Sequence, residues 1–219
     1  MKIENNILHG PPMTEVPSIS MGQYLFNCLR SNGDQIVQVD IQTGKHYTCK
    51  DILEKSTILS VALRNYGINV EDRISIAAEN HPYYMVSICS TLFVGATFAP
   101  LNPAYTEREY KHMLEICQPR VLFVSRHTEN ILAKIASTVS WSMKIIELDD
   151  KPLDGNIITL DKVLEKYQSI MDPYTFSPVQ IDNNRKRMAA ILCSSGTTGF
   201  PKGVTLSHRN ILLFIQNLR

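Results

Sequence analysis

Ile191-Leu192-Cys193-Ser194-Ser195-Gly196-Thr197-Thr198-Gly199-Phe200-Pro201-Lys202-Gly203-Val204 is the stretch that decides the fold. The apolar run entering it, Met188 to Leu192, reads as a buried strand. Val204 to Leu206 reads as extended again. Between them lies a loop of hydroxyl residues and glycine, closed by a lysine. Backbone N–H groups in such a loop can turn inward around an anion, and small side chains let the anion approach. Ser and Thr hydroxyls add donors, and Lys202 adds a compact positive charge. The guest that fits this chemistry is a polyphosphate.

Outward from the loop, strands and helices alternate with short connections. Arg73 to Ala78, Thr97 to Leu101, Arg120 to Val124 and Lys144 to Leu148 read as buried strands. Pro82 opens a helix with Val86, Cys89, Leu92 and Phe93 on its inner face, ended by Gly95. Thr106 and Glu109 form a capping box for a helix to about Cys117. Thr128 to Ser137 and Thr159 to Ser169 read as further helices. This alternation predicts an α/β fold, a mostly parallel sheet flanked by helices on both faces.

Toward the N-terminus, residues 1–20 are expected to be irregular, with Gly10-Pro11-Pro12 and Pro17 as breakers. A short helix follows from Ser20 to Arg30. Ile36 to Ile41 alternates as a half-exposed strand, and Thr43-Gly44 turns it into Lys45 to Tyr47. Thr48, with Asp51 three residues on, caps a helix striped by Ile52, Leu53, Leu59, Ala62, Leu63 and Tyr66 and stopped by Gly67. Asp149 to Gly155 is a polar turn, and Asp172 to Arg187 a surface connection. Ser207 caps a final helix carrying Ile211, Leu212, Phe214, Ile215 and Leu218.

The composition narrows the function. Hydrophobic residues make up 44% and charged residues 20%, as in a soluble globular protein. A net charge of +1 gives no electrostatic case for nucleic acid or an acidic membrane. Five cysteines, none in C-x-x-C, favour buried reduced thiols. No N-x-S/T sequon, signal peptide, transit peptide or C-terminal S-K-L occurs, which points to an intracellular protein. The uncharged stretch Pro82 to Thr106 is interrupted by Gly95, Pro100 and Pro103, so it reads as helix, turn and strand rather than a membrane span.

The loop is not a Walker A motif. Pro201 stands where that motif has its last glycine, and Gly203 stands where it has the Mg²⁺-binding hydroxyl. The pattern S-S-G-T-T-G-x-P-K-G instead resembles the signature of the adenylate-forming (AMP-binding) superfamily. That group includes acyl-CoA synthetases, 4-coumarate–CoA ligase-like enzymes, beetle luciferases and peptide-synthetase adenylation domains. Glu71-Asp72-Arg73-Ile74 with Glu79-Asn80, and Gly95-Ala96-Thr97-Phe98-Ala99-Pro100-Leu101-Asn102-Pro103, resemble the family's first core strand and second core motif in order and spacing. Gln118-Pro119-Arg120-Val121-Leu122-Phe123-Val124-Ser125 and Tyr105-Thr106-Glu107-Arg108-Glu109 look closest to the beetle luciferase and luciferase-like acyl-CoA synthetase branch.

The resemblance implies a two-step reaction. A fatty or aryl carboxylate attacks the α-phosphate of Mg·ATP, releasing pyrophosphate; the acyl group then passes to CoA, or in luciferases the adenylate is oxidised. Ser194, Ser195, Gly196, Thr197, Thr198, Gly199 and Lys202 would hold the ATP phosphates. ATP, Mg²⁺ and CoA are implied as cofactors and co-substrates. No metal ligand and no catalytic residue can be matched on this chain. The adenine pocket, the carboxylate pocket and the lid domain would lie beyond Arg219, so the chain alone is expected to be inactive. The family places such enzymes in cytoplasm or peroxisome. The expected division is 1–70 with strands lacking partners, 71–187 as an α/β subdomain, 188–206 as strand–loop–strand, and 207–219 as a truncated helix. An exposed apolar edge and pairing through it follow from that division. A non-enzymatic truncated product remains open beside the ligase and luciferase readings; a general NTPase is disfavoured.

The remaining polar and aromatic candidates read as structural. His208 reads as a satisfied or solvent-facing histidine, and Cys193 as a small hydrophobe. His112 and His127 have no metal spacing, and Asp149, Asp150 and Asp154 lack EF-hand spacing. Trp141, Tyr83 and Tyr84 read as packing, and Arg185-Lys186-Arg187 as a solvated face.

Overall fold

The computed structural model describes residues 2–4, 6–9, 15–170, 175–194 and 199–217. The chain begins with β1 (Lys2–Glu4), β2 (Ile7–His9), α1 (Met21–Ser31), β3 (Ile36–Val39), β4 (His46–Thr48) and α2 (Cys49–Asn65). It continues through β5 (Arg73–Ala77), α3 (Tyr84–Phe93), β6 (Thr97–Leu101), α4 (Glu107–Cys117), β7 (Val121–Val124), α5 (Glu129–Ala136) and β8 (Lys144–Glu147). The last elements are β9 (Ile158–Thr159), α6 (Leu160–Tyr167), β10 (Met188–Ser194), β11 (Lys202–Ser207) and α7 (His208–Asn217).

The central sheet runs in the order β11-β10-β6-β5-β7-β8-β9. All pairings from β10 to β9 are parallel, and only β11 is antiparallel to its neighbour. Both faces are covered, so alternate residues of one strand enter different cores. Val121 and Phe123 join a cluster with α1, α2, α3 and α6, while Leu122 and Val124 join another with α4 and α5. This is why the central strands read as continuous apolar runs.

Local signals act where they were read. Ser20 accepts from the Gln23 N–H at the start of α1. Thr48–Asp51 and Thr106–Glu109 form complete capping boxes. Gly95 ends α3 at φ +79°, a conformation that costs a residue without Cβ least. The uncharged stretch from Pro82 becomes the ten-residue α3 and strand β6. No described helix is long and apolar enough to cross a membrane.

Some expectations change. Residues 1–20 are not wholly irregular: β1 and β2 pair antiparallel, turning through Asn6 at φ 61°. Asparagine tolerates that left-handed backbone better than most residues. Part of the 172–187 connection is also not surface, because Phe176 is buried against Phe26 and Phe93. Within 15–20 and 182–187, Asn184 donates to the Pro17 and Ile19 carbonyls, tying the two segments together. The β3–β4 hairpin is a separate two-stranded unit with Ile36, Val37 and Val39 exposed. On α7, Leu212 is buried but Phe214 is 64% exposed; Leu218 lies outside the described residues.

Candidate phosphate-binding site

The hydroxyl-rich loop joins β10 to β11, so its two ends are held by sheet pairing. Ser194 is half-buried at the end of β10 and pairs with Lys202, the exposed first residue of β11. Gly199 has φ +118°, with nothing near the position of a Cβ. An L side chain there would be strained by the backbone alone. Ser195, Gly196, Thr197 and Thr198 lie outside the described residues.

The parallel strands direct the loop to the sheet's carboxyl edge, where open α/β sheets bind ligands. Beside it is an open cleft of about 670 Å³ at the ends of β5, β6 and β10. Glu79, Asn80, Tyr84, Asn102, Leu192 and Cys193 are among its lining residues. Its lining mixes carboxylate, amide, phenol and apolar surface, the make-up of a small-molecule cleft.

Cys193 is half-buried and its thiol donates to the Pro100 carbonyl at 3.5 Å. This fits packing better than nucleophilic chemistry. Burial, then a hydrogen bond to Cys193, pushes the Tyr105 phenol above its ordinary range. Thus Tyr105 stays protonated beside the loop's entry strand.

His208 is far from the loop in the fold. The β10–β11 hairpin runs antiparallel, so Ser207 returns to Met188, at the opposite edge of the sheet. His208 is buried there and its Nδ1 accepts from the Met21 N–H at 3.0 Å. Asp149 accepts from the Arg126 N–H at 2.8 Å, and Arg187 pairs with Glu71 and Asp182. Among the described residues no three His, Cys, Asp or Glu side chains converge as a metal site.

One neighbour of the loop carried no sequence signal. His112 on α4 bonds the Pro201 carbonyl at 3.0 Å, and its ring lies 4.9 Å from that of Phe200. Arg108, one turn earlier, sits 4.6 Å from the Phe200 ring centroid. Arg108 and His112, four residues apart, share a face of α4, but that spacing does not say which loop the face meets.

Residues 26–219 match the family described as AMP-binding enzyme. The chain is 31% identical over 223 residues to luciferin 4-monooxygenase of Nipponoluciola cruciata, covering 100% of this chain and 40% of that protein. It is 29% identical over 212 residues to probable 4-coumarate–CoA ligase 1 of Dictyostelium discoideum, covering 92% of this chain and 38% of that one. A natural red-emitting luciferase from Phrixothrix hirtus superposes with TM-score 0.84 at 28% identity, over 93% of this chain and 49% of that one. The chain therefore spans under half the length of these relatives.

Proposed function

The chain belongs to the AMP-binding enzyme family, and from that premise we propose that its β10–β11 loop holds the β- and γ-phosphates of ATP during activation of a carboxylic acid. The acid is fatty or aryl, the first product an acyl-adenylate, and the second step thioesterification to CoA. The observation that carries this reading is the placement of Ser194, Gly199 and Lys202 at the sheet's carboxyl edge beside an open cleft.

On this reading Ser194 and the loop hydroxyls donate to phosphate oxygens, and Lys202 balances charge that leaves as pyrophosphate. Ser195, Gly196, Thr197 and Thr198 belong to the same cradle by their place in the signature. Among the described residues no three His, Cys, Asp or Glu side chains converge to hold Mg²⁺. Residues 71–187 serve as scaffold, 188–206 as strand, phosphate loop and strand. Residues 1–70 and 207–219 carry apolar surface, including Ile36, Val39 and Phe214, that suits burial against further protein.

A second reading, oxidation of the adenylate with light emission, is favoured by the similarity to luciferin 4-monooxygenases. Both readings share the phosphate step, so one experiment tests them. The purified chain is titrated with ATP and with pyrophosphate, and ATP–pyrophosphate exchange is followed with a panel of fatty and aryl acids. Saturable binding lost in Lys202→Ala is expected, with exchange at background for this span alone. Absence of binding by both ligands at millimolar concentration overturns the assignment of the loop.

A further inference from the structure

We propose that Arg108 and His112 of α4 are positioning residues that grip Phe200–Pro201 and so fix the direction in which Lys202 leaves the loop. The functional meaning of the grip rests on the phosphate-loop reading above; the grip itself does not.

Arg108, His112 and Ile116 are spaced at i, i+4 and i+8, which aligns them on one side of a helix over about 12 Å of axis. All three meet the exit limb of the loop. The Arg108 guanidinium lies over Phe200 at 4.6 Å, and the His112 ring lies 4.9 Å from the same ring at 33°. His112 Nε2 is 3.0 Å from the Pro201 carbonyl oxygen. A carbonyl can only accept, so Nε2 is the protonated nitrogen. Further along, a Cβ on Gly203 would come within 3.0 Å of the Ile116 side chain. Three consecutive turns of α4 therefore touch three neighbouring positions flanking Lys202.

The helix that makes the grip is itself immobilised. Its inner face, Tyr110, Met113, Leu114 and Cys117, is buried in the core shared with β5, β6 and β7. Its first turn is closed by the Thr106–Glu109 capping box. Glu107 adds ion pairs to Lys111 at 2.8 Å and to Lys134 of α5 at 3.0 Å. Lys202 also pairs with Ser194, so the exit limb is held from the sheet and from α4 at once. Ordering a lysine before its ligand arrives lowers the entropy lost on binding.

The test measures amide hydrogen exchange across residues 199–207 and pyrophosphate affinity in the full chain. His112→Ala and Arg108→Ala are expected to speed exchange of that segment about fivefold to tenfold, with the 110–117 core peptide unchanged. His112→Gln, which keeps a donor near Nε2, is expected to restore much of the protection. Phe200→Ala removes the gripped ring from the loop's side and is expected to reproduce the loss without altering α4. Pyrophosphate affinity is expected to fall about tenfold in His112→Ala, equal to the loss of one or two weak contacts. Wild-type exchange in 199–207 for both Arg108→Ala and Phe200→Ala overturns the grip. A chain that keeps the exchange pattern but binds no pyrophosphate overturns the phosphate reading alone.

Discussion

The Met21 backbone N–H donates to His208 Nδ1 at 3.0 Å, joining the first turn of α1 to the first turn of α7 across 187 residues. An N-terminal helical N–H has no partner within its own helix, and His208 supplies one. Burial holds the imidazole neutral and pushes its pKa down to about 4 from the ordinary 6.5. The neutral ring carries its hydrogen on Nε2, which has no partner among the described residues, so protonation would fall on Nδ1, break the Met21 bond and bury an uncompensated charge. Because the folded pKa lies below the unfolded one, this contribution is present above pH 6.5. It is lost as pH falls through about 4. Urea unfolding between pH 4 and 7.5 is expected to show that decline. In His208→Asn, which keeps an acceptor but no titrating ring, the decline should vanish. An unchanged pH slope in the variant would remove His208 as its cause.

Gly22 lies inside α1, where alanine is normally better by up to about 1 kcal/mol. Here a Cβ would stand 2.1 Å from the Leu92 carbonyl oxygen and 2.6 Å from its carbon, both backbone atoms of α3. Neither helix can yield by turning a side chain. Gly22→Ala is therefore expected to destabilise by about 1–3 kcal/mol through overpacking. Gly33, with nothing within 4 Å of its Cβ position, is the control. Gly33→Ala should stay within about 0.5 kcal/mol of the parent chain. Equal stability of the two variants in urea would refute the close helix approach.

At the start of α2, Asp51 Oδ2 accepts from both the Thr48 N–H and the Thr48 hydroxyl at 2.7 Å. The Asp51 N–H returns a bond to Thr48 Oγ1 at 3.1 Å. Thr48→Ala breaks two of these three bonds, with an expected cost of about 1 kcal/mol in chemical denaturation. Thr48→Ser should retain most of the stability, since it keeps the hydroxyl.

The legible parts of this fold are those whose causes lie within a few residues. Both capping boxes, the stop at Gly95 and the apolar runs of β5 to β8 depend on neighbours in sequence. The β1–β2 hairpin is not legible because three-residue strands show almost no periodicity, and its turn uses Asn6 rather than glycine. Phe176 and Asn184 sit in a stretch rich in proline and charge, and only tertiary packing reveals them as buried. In the site, Ser194, Gly199 and Lys202 follow from the motif. His112 does not, because its partner at Pro201 is 89 residues away. Sequence spacing carries no information about which loop a helix face will meet.

Glu129 and Glu147 form the other feature hidden from sequence: two fully buried carboxyls close to one another, with Glu147 Oε2 lacking a hydrogen-bond partner among the described residues. Glu129 accepts from the Leu153 and Asp154 N–H groups, each at 2.7 Å, and Glu147 accepts from the Asp149 N–H at 3.1 Å. The pair thus fastens the turn between β8 and β9. A carboxyl held in a buried site beside other carboxyl groups is costly to ionise, and a proton on Glu147 relieves that cost. Burial, reinforced by Glu129 and Asp149, pushes Glu147 up to about 9 from the ordinary 4.5. The folded pKa now exceeds the unfolded one, so the sign is opposite to that of His208. The contribution is fully present below about pH 4.5 and is lost as pH rises through about 9. Glu147→Gln keeps an acceptor for Asp149 without a titrating proton. It is expected to flatten the alkaline decline and to raise Tm at pH 8 by on the order of 5 °C. Glu147→Ala, which removes the acceptor for Asp149, should instead lower Tm and speed amide exchange at residues 149–155. If Glu147→Gln melts like the parent at both pH 6 and pH 9, the titration of Glu147 is not what governs this turn.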